Sequence, residues 1–236
     1  MEKKYRLLEN DTKKVNGKTL YRIESLRDFA GVKKGDKGGY IESDDNLSHI
    51  GACWVSDYAR VSGDAQVFGN AWIFGNAEIF GNARVSGNAR VSGNARVSGN
   101  ARVSDNAEIS GNAWVCGNAR VSDNAEIYGN ARVCGNARVF GYAEVYGYAE
   151  VYGDAEIRST RDYVVLKNIW SSGRYFTYTR SNKMWKVGCF YGTGEELIAK
   201  AYRDSEVSGR EYKRVVEYVE AMYADLENDE RQEAKK

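Results

Sequence analysis

Between Ala59 and Ile157 the chain cycles through small apolar, polar, large apolar and polar residues, then a two-residue break, with a period of six. Seventeen consecutive alanines, Ala59 to Ala155, keep this interval, and all eighteen matching positions from Val55 to Ile157 are Val or Ile. In the unit Ala89-Arg90-Val91-Ser92-Gly93-Asn94, the first four residues alternate as a strand with one buried face does. Gly-Asn then predicts a corner, because both residues tolerate positive φ. A six-residue period drifts around a 3.6-residue helix and never holds one side inward, so a helix is excluded. The chain has no proline, which suits stacked strands whose N–H groups are all needed. A fixed short period marks a solenoid whose units bury their apolar side only by stacking.

Outside the repeat the pattern changes. Residues 1–40 are basic, with eleven Lys/Arg against six Asp/Glu, and Lys4–Leu8 and Leu20–Ser25 predict strands around an Asn16-Gly17 turn. This N-terminal β-hairpin is expected to cap the first coil of a 41–158 solenoid, whose open strand edge would otherwise invite pairing. Beyond Ile157, Tyr163–Trp170, Arg174–Arg180 and Met184–Tyr191 predict three antiparallel strands. Two helices should follow. One begins near Thr193 with Glu196 completing a capping box; the other begins near Ser208 with Tyr212, Val215, Val216, Val219, Met222, Tyr223 and Leu226 as its apolar stripe. Residues 160–227 thus predict an α+β module, and 228–236 a charged, frayed tail.

The repeat resembles the hexapeptide left-handed parallel β-helix, a triangular prism with three hexads per coil. The resemblance implies a mainly β fold of about six regular coils over residues 53–158, spaced about 4.8 Å apart. Handedness comes from the resemblance alone, and a right-handed triangular β-helix of the bactofilin kind is the alternative. The lead-in Val32-Lys33-Lys34-Gly35-Asp36-Lys37-Gly38-Gly39-Tyr40-Ile41, then Asn46-Leu47-Ser48 and Gly51-Ala52-Cys53-Trp54-Val55, is similar to that of bacterial β-helix proteins commonly labelled acetyltransferases. Gly188-Cys189-Phe190-Tyr191-Gly192-Thr193 and the helices after it are similar to the tails of phage and prophage β-helix proteins labelled polymer-forming or cytoskeletal. A bacterial or prophage origin is what this implies.

Candidate chemistry is sparse. Hexapeptide acyltransferases use a histidine base and loops that leave the prism. Here the one histidine, His49, precedes the regular coils, and the hexads from Val55 to Ile157 carry no insertion. A hexapeptide carbonic anhydrase needs three zinc-binding histidines. No GxSxG, HExxH or Walker A motif occurs. The expectation is a protein that is not an enzyme and needs no cofactor or metal. Net charge is +1, so no global field argues for a polyanion or an anionic bilayer. No apolar run reaches the length of a membrane span, and the start MEKKYRLLEN lacks a signal-peptide core, so a cytoplasmic protein is expected. Cys53, Cys116, Cys134 and Cys189 show no CxxC spacing. Cys116 and Cys134 should stack on adjacent coils. A bridge between them stays open, but coil spacing exceeds the usual Cβ separation of about 3.8 Å, so free thiols in a reducing compartment are expected.

Folding the repeat at eighteen residues sorts its outward side chains onto three faces. The first stacks Trp54, Trp72, Arg90, Glu108, Glu126 and Glu144; the second Arg60, Glu78, Arg96, Trp114, Arg132 and Glu150. The third stacks Gln66, Arg84, Arg102, Arg120, Arg138 and Glu156, beside Phe68, Ser86, Ser104, Ser122, Phe140 and Arg158. Four arginines at one strand spacing repel each other. Arg84, Arg102, Arg120 and Arg138, with Phe68 and Phe140, are therefore the candidate partner surface. Its occupant would be another subunit of a homo-oligomer (trimer or dimer), or an anionic ligand such as a nucleotide or nucleic acid. Against this stands an idle row of arginines splayed into water, where exposed charges interact weakly. Tyr128, Tyr142, Tyr146, Tyr148 and Tyr152 crowd the last coils as a candidate aromatic interface. They are expected either to cover coils that the terminal modules touch or to mark a protein partner's site.

Overall fold

Eighteen two-residue strands, from β4 (Trp54–Val55) to β21 (Glu156–Ile157), recur every six residues. This is the arrangement in a computed structural model that describes residues 3–234. Strands eighteen residues apart pair in parallel, so the hexads wind into a β-solenoid of six regular coils with three sheets along its length. The alanines and the Val/Ile column are all buried and form the core. The hexads before the last coil also donate backbone hydrogen bonds to the coil above: Arg102 N to Ala119 O at 2.9 Å, Ser104 N to Val121 O at 3.0 Å, and Asn100 N to Gly117 O at 2.7 Å. No coil can therefore shift register without breaking a ladder and exposing its apolar column.

Corner geometry departs from the expectation in one respect. Only the first corner residue takes positive φ, as Gly99 (69°) and Gly117 (67°) do, and Asp105 and Asp123 fill that place at 59°. The asparagines that follow serve a different purpose. Their side-chain amides form ladders along the corners, Asn82 to Asn100 at 3.2 Å, Asn100 to Asn118 at 3.1 Å and Asn118 to Asn136 at 2.9 Å.

Ahead of the regular coils lie β1 (Tyr5–Val15), β2 (Lys18–Ser25) and β3 (Lys37–Ile41). The hairpin β1–β2 is the expected one, but β2 starts at Lys18 rather than Leu20. Asn16 (φ 50°) and Gly17 (φ 78°) close a two-residue loop between the paired Val15 and Lys18, as an Asn-Gly turn of the primed kind does. β3 pairs antiparallel with β2 and parallel with the coil strand β5 (Arg60–Val61). The hairpin is thus continuous with one solenoid sheet and makes it nine-stranded. Leu47 bridges Val67, adding a partial coil before the regular six. Buried Asn46 holds this coil: its Oδ1 accepts from Glu42 N and Ser43 N at 3.0 Å, while Nδ2 donates to Gly63 O and Ala65 O.

Met1–Thr160 form one compact unit and Arg161–Lys236 a second. The second contains an antiparallel sheet of four strands where the sequence suggested three. They are β22 (Tyr163–Lys167), β23 (Tyr175–Thr179), β24 (Met184–Val187) and β25 (Phe190–Gly192). The expected third strand breaks because Gly188 turns at φ 55°. Thr193 caps α1 (Gly194–Asp204) with the expected Glu196 box. α2 (Glu206–Glu233) starts earlier than expected, because Ser205 rather than Ser208 is its cap, and Ser205 accepts from Ser208 N. The charged tail is helical up to Glu233, where frayed chain was expected. Arg180 on the sheet side pairs with Glu227 and Glu230, anchoring that last stretch. Phe176, Tyr178, Trp185, Leu197, Tyr212, Val216 and Val219 make this unit's core.

Candidate interaction surface

The third face is built by β9 (Arg84–Val85), β12 (Arg102–Val103), β15 (Arg120–Val121) and β18 (Arg138–Val139). In each strand the valine points into the core and the arginine out to solvent, because successive strand side chains point to opposite sides. Arg102 lies in register with Arg84 on one side and Arg120 on the other, and Arg120 with Arg138. The structure therefore brings the four predicted arginines into one column. Their electrostatic situations differ. Arg138 reaches Glu156 at 2.8 Å, and Arg158 reaches the same carboxylate at 3.6 Å. Arg84, Arg102 and Arg120 make no ion pair with a described carboxylate, so three like charges rather than four stand uncompensated.

Beside the column runs a shallow groove of about 240 Å³, lined by Arg102, Arg120, Arg138, Ser104, Ser122 and Phe140. The small serines leave it open. Ser104 is turned aside, its Oγ donating to Asp105 at 2.9 Å. Of the two phenylalanines, Phe68 is exposed, whereas Phe140 is half-buried between the guanidinium groups of Arg138 and Arg158, at 5.4 and 5.0 Å. Phe140 is thus a platform that holds arginines and is not a free apolar contact.

The acidic counterpart lies on the first face. Glu108, Glu126 and Glu144 stack in register at the same axial repeat. Arg90 approaches Glu108 at 3.8 Å, and Tyr128 donates its hydroxyl to Glu144 at 3.1 Å. The second face is internally matched: Glu78 pairs with Arg60 and Arg96, and Arg132 with Glu150. Its aromatic ring Trp114 is packed between Arg96 and Arg132, and donates to Ser98 Oγ at 3.0 Å.

The predicted aromatic interface separates into parts. Tyr128 and Tyr146 stack on the first face, with ring centroids 5.3 Å apart. Burial, and then the hydrogen bond to Glu144, push the Tyr128 hydroxyl above its ordinary pKa. Tyr152 is half-buried on the second face, and desolvation raises its hydroxyl too. Tyr142 and Tyr148 occupy corners on either side of β19 (Glu144–Val145) and are exposed. The five residues do not make one patch, because hexads six apart fall on successive faces.

The thiol expectation is corrected for two residues. Cys116 and Cys134 form a disulfide, with Cα atoms 4.6 Å apart. Coil spacing is a Cα–Cα distance, and bridged cysteines accept roughly 4.4–6.8 Å there; comparison with a Cβ separation was the error. Cys53 and Cys189 remain free. His49 packs under the hairpin: its Nδ1 accepts from Lys4 N at 3.2 Å and its ring stacks on Tyr5 at 4.3 Å. Burial holds its pKa below the usual value.

Sequence reasoning missed a cleft of about 360 Å³ where the hairpin residues Val15, Lys18 and Leu20 overhang Arg60, Phe80 and Arg96. Nothing periodic signals it, since the overhang depends on hairpin length. The asparagine ladders carried a signal, the eighteen-residue recurrence of Asn82, Asn100, Asn118 and Asn136. Among the described residues no group of His, Cys, Asp or Glu could hold a metal ion, and no helix is long and apolar enough to cross a membrane.

Five stretches, residues 77–93, 83–99, 89–105, 95–111 and 131–147, match the family described as YdcK beta solenoid repeat. No curated protein matches the chain. The matches and the stacked registers together make this a β-solenoid repeat protein.

Proposed function

We propose that this chain is a non-enzymatic scaffold that self-associates through its solenoid and presents its C-terminal unit to a protein partner. The observation that carries the reading is the segregation of charge between two faces. Arg84, Arg102 and Arg120 stack without a described carboxylate on the third face, and Glu108, Glu126 and Glu144 stack on the first. Both columns repeat at the solenoid pitch. Laid side by side, the third face of one copy meets the first face of the next in register, and three arginines face three glutamates. Such an interface is heterologous, joining unlike faces of successive copies. Each exposed pair contributes little, about 0–1 kcal/mol; a rigid rod that holds several at fixed spacing lets them add.

Two further features support a scaffold. The hexads run from Val55 to Ile157 without a loop that could hold an acyl donor, and the histidine holds the N-terminal strand. On the C-terminal unit, Ile169, Trp170, Val207 and Tyr218 are each more than half exposed, as apolar residues at a partner site are.

The test is the molar mass in solution of the full chain and of Arg102→Glu/Arg120→Glu. The reading expects the wild type to be oligomeric at low salt, the reversal to be smaller, and Glu126→Arg/Glu144→Arg in the same chain to restore the assembly. A wild type that is monomeric at low salt would sink it. The groove along Ser104 and Ser122 favours a second reading, an anionic ligand seated on Arg102, Arg120 and Arg138. In that case the charge reversal removes salt-dependent binding of an oligonucleotide probe and leaves the molar mass unchanged.

A further inference from the structure

The lead-in to the solenoid encloses a lysine that is wholly buried. Lys4 stands just before β1, and its backbone is held on both sides: its N–H donates to His49 Nδ1, and its carbonyl accepts from Leu26 N at 2.9 Å. Its side chain runs into the space opened where Leu47 and Val55, successive core positions, lie eight residues apart instead of six. There Nζ donates to Cys53 O at 2.7 Å, approaches Gly51 O at 3.5 Å, and lies 3.2 Å from Cys53 Sγ. Phe29 covers it from the other side.

Among the described residues no carboxylate contacts this amine. Apart from Cys53 itself, the group whose charge bears on it is Arg27, whose Nε is itself buried without a hydrogen-bond partner. A buried ammonium without an anion is costly, and desolvation holds the Lys4 pKa below its ordinary value. The neutral amine is the form that fits: a nucleophilic nitrogen in contact with the sulfur of a fully buried thiol. Burial also keeps out bulky thiols, the usual reversible caps of an oxidised cysteine, so Lys4 is the nucleophile within reach of that sulfur.

We propose that Lys4 and Cys53 are an oxidation-dependent crosslinking site, joined by an oxygen bridge between Nζ and Sγ. The oxidant is dioxygen. The thiol gives up its hydrogen and the amine gives up one of its two. One oxygen atom bonds to both nitrogen and sulfur, and the other leaves with the two hydrogens as water. Dioxygen takes four electrons, two from the N–H and two from the S–H that become N–O and S–O. Such a bridge spans slightly less than the present Nζ–Sγ separation, so side-chain adjustment alone closes it. Its effect is to lock the start of the N-terminal strand to the first coil.

The test uses the full chain with Cys189→Ser, which removes the exposed thiol. One portion is kept in air-saturated buffer and another under dithiothreitol without oxygen. Both are then denatured, alkylated, digested and analysed by mass spectrometry. The aerated sample is expected to yield a peptide pair joining residues 4 and 53. It should be heavier than its two separate peptides by one oxygen less two hydrogens, and dithiothreitol should release it. Lys4→Arg should leave Cys53 alkylated. Full alkylation of Cys53 in the aerated wild-type background would overturn the proposal whatever the variants do, as would a joined pair lacking the oxygen or one that persists in Lys4→Arg.

Discussion

Cys116 and Cys134 stand in register on adjacent coils of the second face and are joined by a disulfide across a Cα separation of 4.6 Å. The bond staples two neighbouring strands that already share a backbone ladder. Chain-entropy reasoning gives about 3 kcal/mol for a loop of this size. We expect dithiothreitol, or Cys116→Ser/Cys134→Ser, to lower unfolding stability by up to about 3 kcal/mol. Denaturant titrations with and without reductant measure this; equal midpoints would show that the bond contributes nothing. Thiol counting on denatured, unreduced protein should find Cys189 but neither Cys116 nor Cys134.

The core should respond to truncation coil by coil. Ile109 is fully buried, stacked between Val91 and Ile127. Its neighbours are fixed by ladders and cannot collapse into a void. Ile109→Ala is expected to cost about 2–5 kcal/mol, the usual range for such a cavity, while Ile109→Val costs about 0.5–1.5 kcal/mol. Thermal or denaturant unfolding of the pair checks the ratio, and an Ala variant as stable as wild type would contradict the packed interior.

Corner positions carry a sharper expectation. Gly87 sits at φ 65°, and a Cβ there would lie 2.6 Å from Asp105 N on the next coil. Gly87→Ala therefore meets a steric clash on top of the roughly 1–2 kcal/mol cost of a left-handed non-glycine residue. Asp105 adopts the same region at φ 59°, but its carboxylate accepts from Ser104 Oγ and from Asp123 N. Asp105→Gly should change stability by less than Gly87→Ala does. Removing an amide ladder by Asn100→Ala should cost about 0.5–1.5 kcal/mol. Parallel melts of the three variants rank these effects.

How far the sequence reached depended on periodicity. Arg102 was placed between Arg84 and Arg120 because a six-residue repeat leaves one way to stack, and each pairing follows from it. What broke the period was not legible. The two extra residues between Leu47 and Val55 make room for Lys4, and no pattern marks a lysine that ends inside. Glu156 compensates Arg138 but not Arg120 because side-chain reach covers one coil spacing, which spacing arguments treat as uniform. In the C-terminal unit, Ser208 carries the capping pattern with Glu211, yet the structure selects Ser205, which caps the amide of Ser208.

Acid should loosen the N-terminal cap in two stages. Burial lowers the His49 pKa, with Lys3 and Arg27 also opposing its charge and Asp44 favouring it. The unfolded chain therefore takes up the proton first, near the ordinary histidine value of about 6.5. Stability is full above that value, falls as pH drops below it, and stops falling from this source once the folded histidine is also protonated. Glu42 behaves as a depressed carboxylate, held by hydrogen bonds from Lys18 Nζ and then Gly63 N. Its contribution is present above the ordinary glutamate value of about 4.3 and is lost as pH falls through the folded one. Denaturant midpoints measured from about pH 8 to about pH 3 should show both limbs, at the two ordinary values named above. His49→Gln, which keeps an acceptor for Lys4 N but cannot titrate, should flatten only the upper limb. A wild-type profile with no slope between about pH 7 and pH 5 would show that His49 is not held neutral by the fold.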